Sequence, residues 1–172
     1  MCEEYNNSDI YIFKNLFDDN LCSELIRIYD AQNVNDNELS LSKEENRNTD
    51  YKIYQKIREL LYQFFKVNAY AEITSDAGYT IHKHKKTTIL KKEDISDHEK
   101  YFNNLVNTGV VFVNLNDDND ISFVFPEQDV TIKVKKGSAI LFPTFWTHPY
   151  KIIELPKSSY YLKTFLLENC CP

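Results

Sequence analysis

His82 and His84 stand two apart in Gly78-Tyr79-Thr80-Ile81-His82-Lys83-His84, and His148 lies far downstream in Phe145-Trp146-Thr147-His148-Pro149. The chain has four histidines, so these two stretches hold all but one of them. On a β-strand, residues two apart point to the same face. Two imidazoles on one strand and a third from a later strand are how a β-barrel builds a three-point metal site. Imidazole suits iron, zinc, nickel and copper. The competing reading is a solvent-facing edge, since Lys83, Lys85 and Lys86 are neighbours. Alternation, however, puts these lysines on the face opposite His82 and His84. Trp146, beside His148, is placed to wall a pocket, and His98, in Ser96-Asp97-His98-Glu99, reads as exposed.

The elements that must position these residues follow from periodicity. Ile10-Tyr11-Ile12-Phe13 reads as a strand. Asp18 and Asp19 can cap a helix over about 19–31, with Leu21, Cys22, Leu25, Ile28 and Tyr29 on one apolar face. Residues 32–48 are Asn-rich and polar, a surface loop with room for a short strand near 38–42. Thr49 or Asp50 caps a second amphipathic helix that carries Ile53, Ile57, Leu60, Leu61 and Phe64 and ends at Asn68. From Ala69 the period becomes two. Strands are predicted at 70–74, 79–84, 109–115, 121–125, 130–134, 138–142 and 160–167. A turn is expected at 75–78, where Gly78 can take positive φ, and another at 116–120. Residues 83–104 carry Lys and Asp/Glu clusters and read as an exposed excursion, with a little helix near 95–105.

This order predicts an α+β, mainly β fold: a double-stranded β-helix, or jelly-roll, barrel with two N-terminal helices packed on one sheet. Residues 1–172 read as one domain without an internal repeat. The aromatic share of 14% supplies a core and argues against disorder. A net charge of -6 argues against nucleic-acid binding by charge alone. Cys2, Cys22, Cys170 and Cys171 fit neither a zinc site nor a disulfide framework, so reduced thiols in the cytoplasm are expected. The polar N-terminus is no signal peptide, and no apolar run approaches the ~20 residues that cross a membrane.

Taken together these stretches resemble the iron(II)/2-oxoglutarate-dependent oxygenases, especially the prolyl 4-hydroxylase type. Gly78-Tyr79-Thr80-Ile81-His82 is similar to the family's turn and first ligand. Phe112-Val113-Asn114-Leu115-Asn116-Asp117 and Phe123-Val124-Phe125-Pro126-Glu127 resemble its hairpin strands. Lys136-Gly137-Ser138-Ala139-Ile140-Leu141-Phe142-Pro143 resembles the strand that feeds the distal ligand, His148. Ile12-Phe13-Lys14-Asn15-Leu16-Phe17 is similar to its opening, and the likeness runs over nearly the whole chain.

Two departures matter. The family's His-x-Asp carboxylate is His84 here. Three explanations stand side by side: a three-His iron site, a degenerate relative without metal, or a carboxylate from elsewhere such as Asp97 or Glu99. The second departure concerns the basic residue that anchors the distal carboxylate of 2-oxoglutarate. Lys157 has the spacing from His148, whereas Lys163 shares a strand face with Ser159 and Tyr161. Tyr70 and Tyr79 are candidates for the tyrosine that the family adds at the same carboxylate. The resemblance implies Fe(II) held by His82, His84 and His148, 2-oxoglutarate as cosubstrate, and admits ascorbate. It implies a dioxygenase that hydroxylates a prolyl or other residue of a protein or peptide. The rivals are a catalytically degenerate oxygenase-fold binding module and a three-His oxygenase that uses no 2-oxoglutarate.

Overall fold

Asp18 accepts the Leu21 amide at 2.8 Å and so starts the first helix, α1 (Asp19–Ala31). A computed structural model of the chain describes residues 2–5, 8–32, 37–42, 44–69, 71–84, 105–116, 120–144, 147–153 and 159–169. Helix α1 has the predicted limits and buries Leu21, Cys22, Leu25 and Tyr29. The second helix, α2 (Arg47–Val67), begins earlier than expected. Thr49 does not cap it; its hydroxyl instead donates to Glu24 of α1 at 2.7 Å. Lys52 reaches the other oxygen of Glu24, also at 2.7 Å, so one carboxylate ties the two helices together.

The strands are β1 (Cys2–Glu4), β2 (Tyr11–Phe13), β3 (Glu38–Ser40), β4 (Ile73–Asp76), β5 (Thr80–His84), β6 (Leu105–Asn114), β7 (Ile121–Phe125), β8 (Val130–Val134), β9 (Ala139–Pro143), β10 (Lys151–Ile152) and β11 (Ser159–Asn169). All pairings are antiparallel. The large sheet runs β1-β2-β9-β6-β11-β5-β3, with β4 also on β11. The small sheet runs β10-β7-β8. Strands β4 and β5 follow one another along β11, with Gly78 at φ 78° between them. Ser75 and Asp76, expected in a turn, belong to β4.

Alternation along the central strands divides the interior in two. Val111, Val113, Leu141, Leu162 and Leu166 join the helix residues Leu25, Ile53, Ile57 and Leu60 in one core. Val110, Phe112, Ile140, Phe142 and Tyr161 face Ile121, Phe123, Phe125, Ile132 and Ile152 in the other. Strand β6 is therefore buried on both faces, as its unbroken apolar run requires. The result is three layers, helices on the large sheet and the small sheet on its other face. At β8–β9, Gly137 adopts φ 68° and a Cβ there would lie 2.3 Å from the Phe17 carbonyl oxygen. Phe17 in turn donates its amide to Gly137 at 2.9 Å, which fixes the entry to α1.

Candidate functional site

Strand register brings three of the side chains of interest into one neighbourhood. His82 lies opposite Tyr161 of β11 on one side and opposite Glu38 of β3 on the other. Its ring stacks on Tyr161, 4.9 Å between centroids at 9°. Nδ1 of His82 is 3.2 Å from Glu38 Oε1. The imidazole side chain is 13% exposed while the carboxylate is 65% exposed, so Glu38 meets it from the solvent side. Lys163 lies opposite Thr80, two residues from Tyr161 on the same face of β11. Its ammonium sits 4.5 Å from the Phe165 ring centroid and 5.7 Å from that of Phe112. A cation and an imidazole thus share the inter-sheet face of β5 and β11.

Behind them the space between the sheets is filled with rings. Phe112 packs on Phe123, Phe142, Tyr150 and Tyr161 at centroid distances of 5.2–5.9 Å. Phe125 meets Phe142 edge to face at 4.9 Å. Such contacts are each worth about 0.5–1.5 kcal/mol beyond burial. One end of this core is closed by buried amides. Asn114 Nδ2 donates to the Val134 carbonyl at 2.8 Å, and Asn114 Oδ1 accepts from the Asn116 amide and side chain. Asn116 Oδ1 accepts the Tyr160 amide at 2.8 Å. The β6–β7 connection is so tied to the start of β11, next to His82.

The helix-covered face carries different chemistry. Lys83 points there, as alternation predicts, and its ammonium lies 3.0 Å from Asp30 of α1. Tyr160 donates to the same Asp30 oxygen at 2.8 Å. Burial pulls the Asp30 carboxyl up, but the hydrogen bonds from Lys83 and Tyr160 outweigh it and hold it below its usual value. The hydrogen bond with Tyr160, ahead of that with Asp30, raises Lys83. Tyr79 also lies in the helix core and donates to Asp76 at 2.8 Å. Burial, then the Asp76 charge, pushes its phenol far above the ordinary range. Tyr79 therefore faces away from Lys163 and does not share a carboxylate pocket with it.

His148 occupies a third place. It is buried, 7% exposed, with Nε2 2.8 Å from the Ser8 carbonyl oxygen and Nδ1 2.9 Å from the Thr147 hydroxyl. Ser8 lies in the β1–β2 turn. Tyr11 pairs with Leu141 and Gly109 with Pro143, so this turn is level with residue 108 of β6. His82 is level with residue 114 of β6, through Tyr161. Six residues of strand correspond to about 20 Å. The structure thus brings His82, Lys163 and Glu38 together and leaves His148 at the other end of the large sheet. His82 meets Glu38 and Tyr161, whereas His148 meets Ser8 and Thr147. Among the described residues no group of three His, Cys, Asp or Glu side chains is arranged to hold a metal ion. Tyr70, Trp146, Lys157, His98, Asp97, Glu99 and the His84 side chain lie outside the described part.

Glu38 is the neighbour that sequence reasoning passed over. Its signal was weak: Glu38 and Ser40 alternate with Leu39 and Leu41, but nothing local says that β3 pairs with β5.

No family model matches the chain, and no curated protein matches it in sequence. Solved structures do match over nearly its whole length. A truncated viral collagen prolyl hydroxylase from Paramecium Bursaria Chlorella virus-1 superposes with a TM-score of 0.70 at 12% identity, covering 96% of this chain and 97% of that chain. A Pseudomonas putida prolyl-4-hydroxylase gives 0.62 at 10% identity, covering 95% and 94%. A Trichoplax adhaerens prolyl hydroxylase, in complex with a hypoxia inducible factor peptide fragment, gives 0.67 at 12% identity, covering 95% and 85%. At these identities the likeness shows the fold: the chain has the fold of the prolyl 4-hydroxylases. No helix among the described residues is long and apolar enough to cross a membrane.

Proposed function

We propose that the chain is an oxygenase-fold binding protein whose β5–β11 face takes a carboxylate ligand through Lys163 and His82, without a working iron centre. The observation that carries the reading is the position of His148, bonded to Ser8 about 20 Å along the strands from His82. A mononuclear iron oxygenase centre uses two histidines and a carboxylate on one face of the ion, with open positions, and at that separation His82 and His148 do not share one. The carboxylate preference follows from Lys163, a cation on a half-buried face lined by Phe112, Phe165 and Tyr161, where an anion is attracted more strongly than in water. Structurally similar prolyl hydroxylases are solved with 2OG and with a peptide fragment, so 2-oxoglutarate and a peptide carboxylate are the two ligands to try. The fold likeness alone carries no activity.

A second reading is favoured by the 3.2 Å contact between His82 and Glu38. His82 and His84 are two apart on β5, so Glu38 can replace the carboxylate that His84 displaces. In that reading His82, His84 and Glu38 would hold Fe(II), and Lys163 or Lys157 would anchor 2-oxoglutarate. The protein is then a dioxygenase acting on a prolyl or other residue of a peptide, in the cytoplasm. When bound, iron with 2-oxoglutarate supplies the oxidising chemistry, and this chain's part is to orient the carboxylate and exclude water with its aromatic wall.

Anaerobic Fe(II) titration with and without 2-oxoglutarate, followed by succinate analysis in air, separates the two. The binding-protein reading expects 2-oxoglutarate to bind without iron, weakened by Lys163→Met, and no succinate above the iron-only background. Stoichiometric iron that His82→Ala abolishes, with succinate formed, would establish the second reading instead.

A further inference from the structure

A cavity of about 230 Å³ opens beside the C-terminal end of α2, on the helix face and at the end of the large sheet away from His82. Its floor is apolar and aromatic. Tyr11 and Phe64 meet edge to face there, 5.0 Å between centroids at 83°, and Leu141 and Ile73 complete it. Asn68 donates to the Tyr11 hydroxyl and holds that ring in place. Three carboxylates, Asp9, Glu72 and Glu168, line the same cavity. They come from three separate elements: the β1–β2 turn, the segment before β4, and the end of β11. No ion pair joins any of the three to a cation among the described residues. Lys66, in the last turn of α2, is directed elsewhere, its ammonium 4.2 Å from the Tyr62 ring centroid.

We propose that this cavity is a binding site for an alkylammonium group, an apolar stem ending in a primary or methylated amine. The stem replaces water over Leu141, Ile73 and the aromatic floor. The charged end lies at Glu72 and Glu168, which the pairing of Ile73 with Glu168 sets side by side, and the Tyr11 and Phe64 rings line the rest of the cavity. The size agrees: a cavity of about 150 Å³ accepts benzene, so this one accepts roughly nine non-hydrogen atoms. An aliphatic acid meets three like charges at the mouth, and a neutral alcohol gains only the apolar half. The site is separate from the His82 face and does not depend on whether that face binds iron.

The test uses the full chain and three probes of equal length, n-hexylamine, n-hexanol and n-hexanoate, titrated by protein-detected NMR at neutral pH. Hexylamine is expected to shift resonances of Tyr11, Ile73 and Leu141 and to bind several-fold tighter than hexanol, with hexanoate not bound. The double variant Glu72→Gln, Glu168→Gln, two solvent-accessible changes, is expected to weaken hexylamine roughly five- to tenfold and leave hexanol unchanged. Added salt is expected to act in the same direction as the variant. Spermidine and Nα-acetyl-lysine methylamide, run in parallel, tell a free polyamine from a lysine side chain as the source of the amine. Equal affinity for amine and alcohol, no binding of the amine, or shifts confined to another surface would each overturn the proposal.

Discussion

The Nε2 of His148 lies 2.8 Å from the carbonyl oxygen of Ser8. That contact binds the segment before β10 to the β1–β2 turn, at the end of the large sheet opposite His82. His148→Ala should lower stability by about 0.5–1.5 kcal/mol, since it removes a part-buried hydrogen bond to the Ser8 carbonyl. Chemical denaturation measures this, and the change should leave ligand binding at the His82 face unaltered.

Gly137 tests the fold at its tightest point. A methyl there meets the Phe17 carbonyl at 2.3 Å while the backbone stays at positive φ. Gly137→Ala should cost more than about 2 kcal/mol. Gly78 takes positive φ as well, but a Cβ there meets nothing within 4 Å. Gly78→Ala should therefore cost clearly less, and the two denaturation midpoints should rank in that order.

The helix–sheet core has its own probe. Leu25 is completely buried between α1, α2 and the sheet. Leu25→Ala should destabilise by about 2–5 kcal/mol through lost burial and the cavity left behind. Asp18→Ala removes the α1 cap and should cost about 1 kcal/mol.

Acid should weaken the link between the two helices and the link between α1 and β5. The Lys52 hydrogen bond is the largest influence on Glu24 and lowers it, and Asp30 is lowered by Lys83 and Tyr160 against the pull of burial. A carboxyl lowered in the folded state contributes stability above its unfolded value, and that stability is lost as pH falls through the folded value. Stability measured from pH 6 downward should decline in that window. The double variant Glu24→Gln, Asp30→Asn should be less stable at pH 6 and show a flatter decline.

The sequence carried the fold well because its signals were local or periodic. Asp18 followed by the spacing of Leu21, Cys22 and Leu25 marked α1 to the residue, and the run Gly109–Leu115 announced a strand buried on both sides. Alternation also placed Lys83 opposite His82, and the same rule puts Tyr79 with Ile81 on the helix side. The site was less legible. His148 stands outside any strand, so periodicity says nothing about its level, and its position depends on how the chain after β9 is held by Thr144 and Thr108. Glu38 reaches His82 only through the pairing of β3 with β5, a contact between segments more than forty residues apart.

On the proposed function, the His82 face binds a carboxylate and does not assemble an iron centre with His148. The most direct measurement is anaerobic Fe(II) binding by the full chain beside its His148→Ala and His82→Ala variants, read together with succinate release from 2-oxoglutarate in air. The account predicts substoichiometric iron in all three, succinate at background, and 2-oxoglutarate binding that survives in His148→Ala. One iron per chain, lost in both variants and accompanied by succinate, would contradict it.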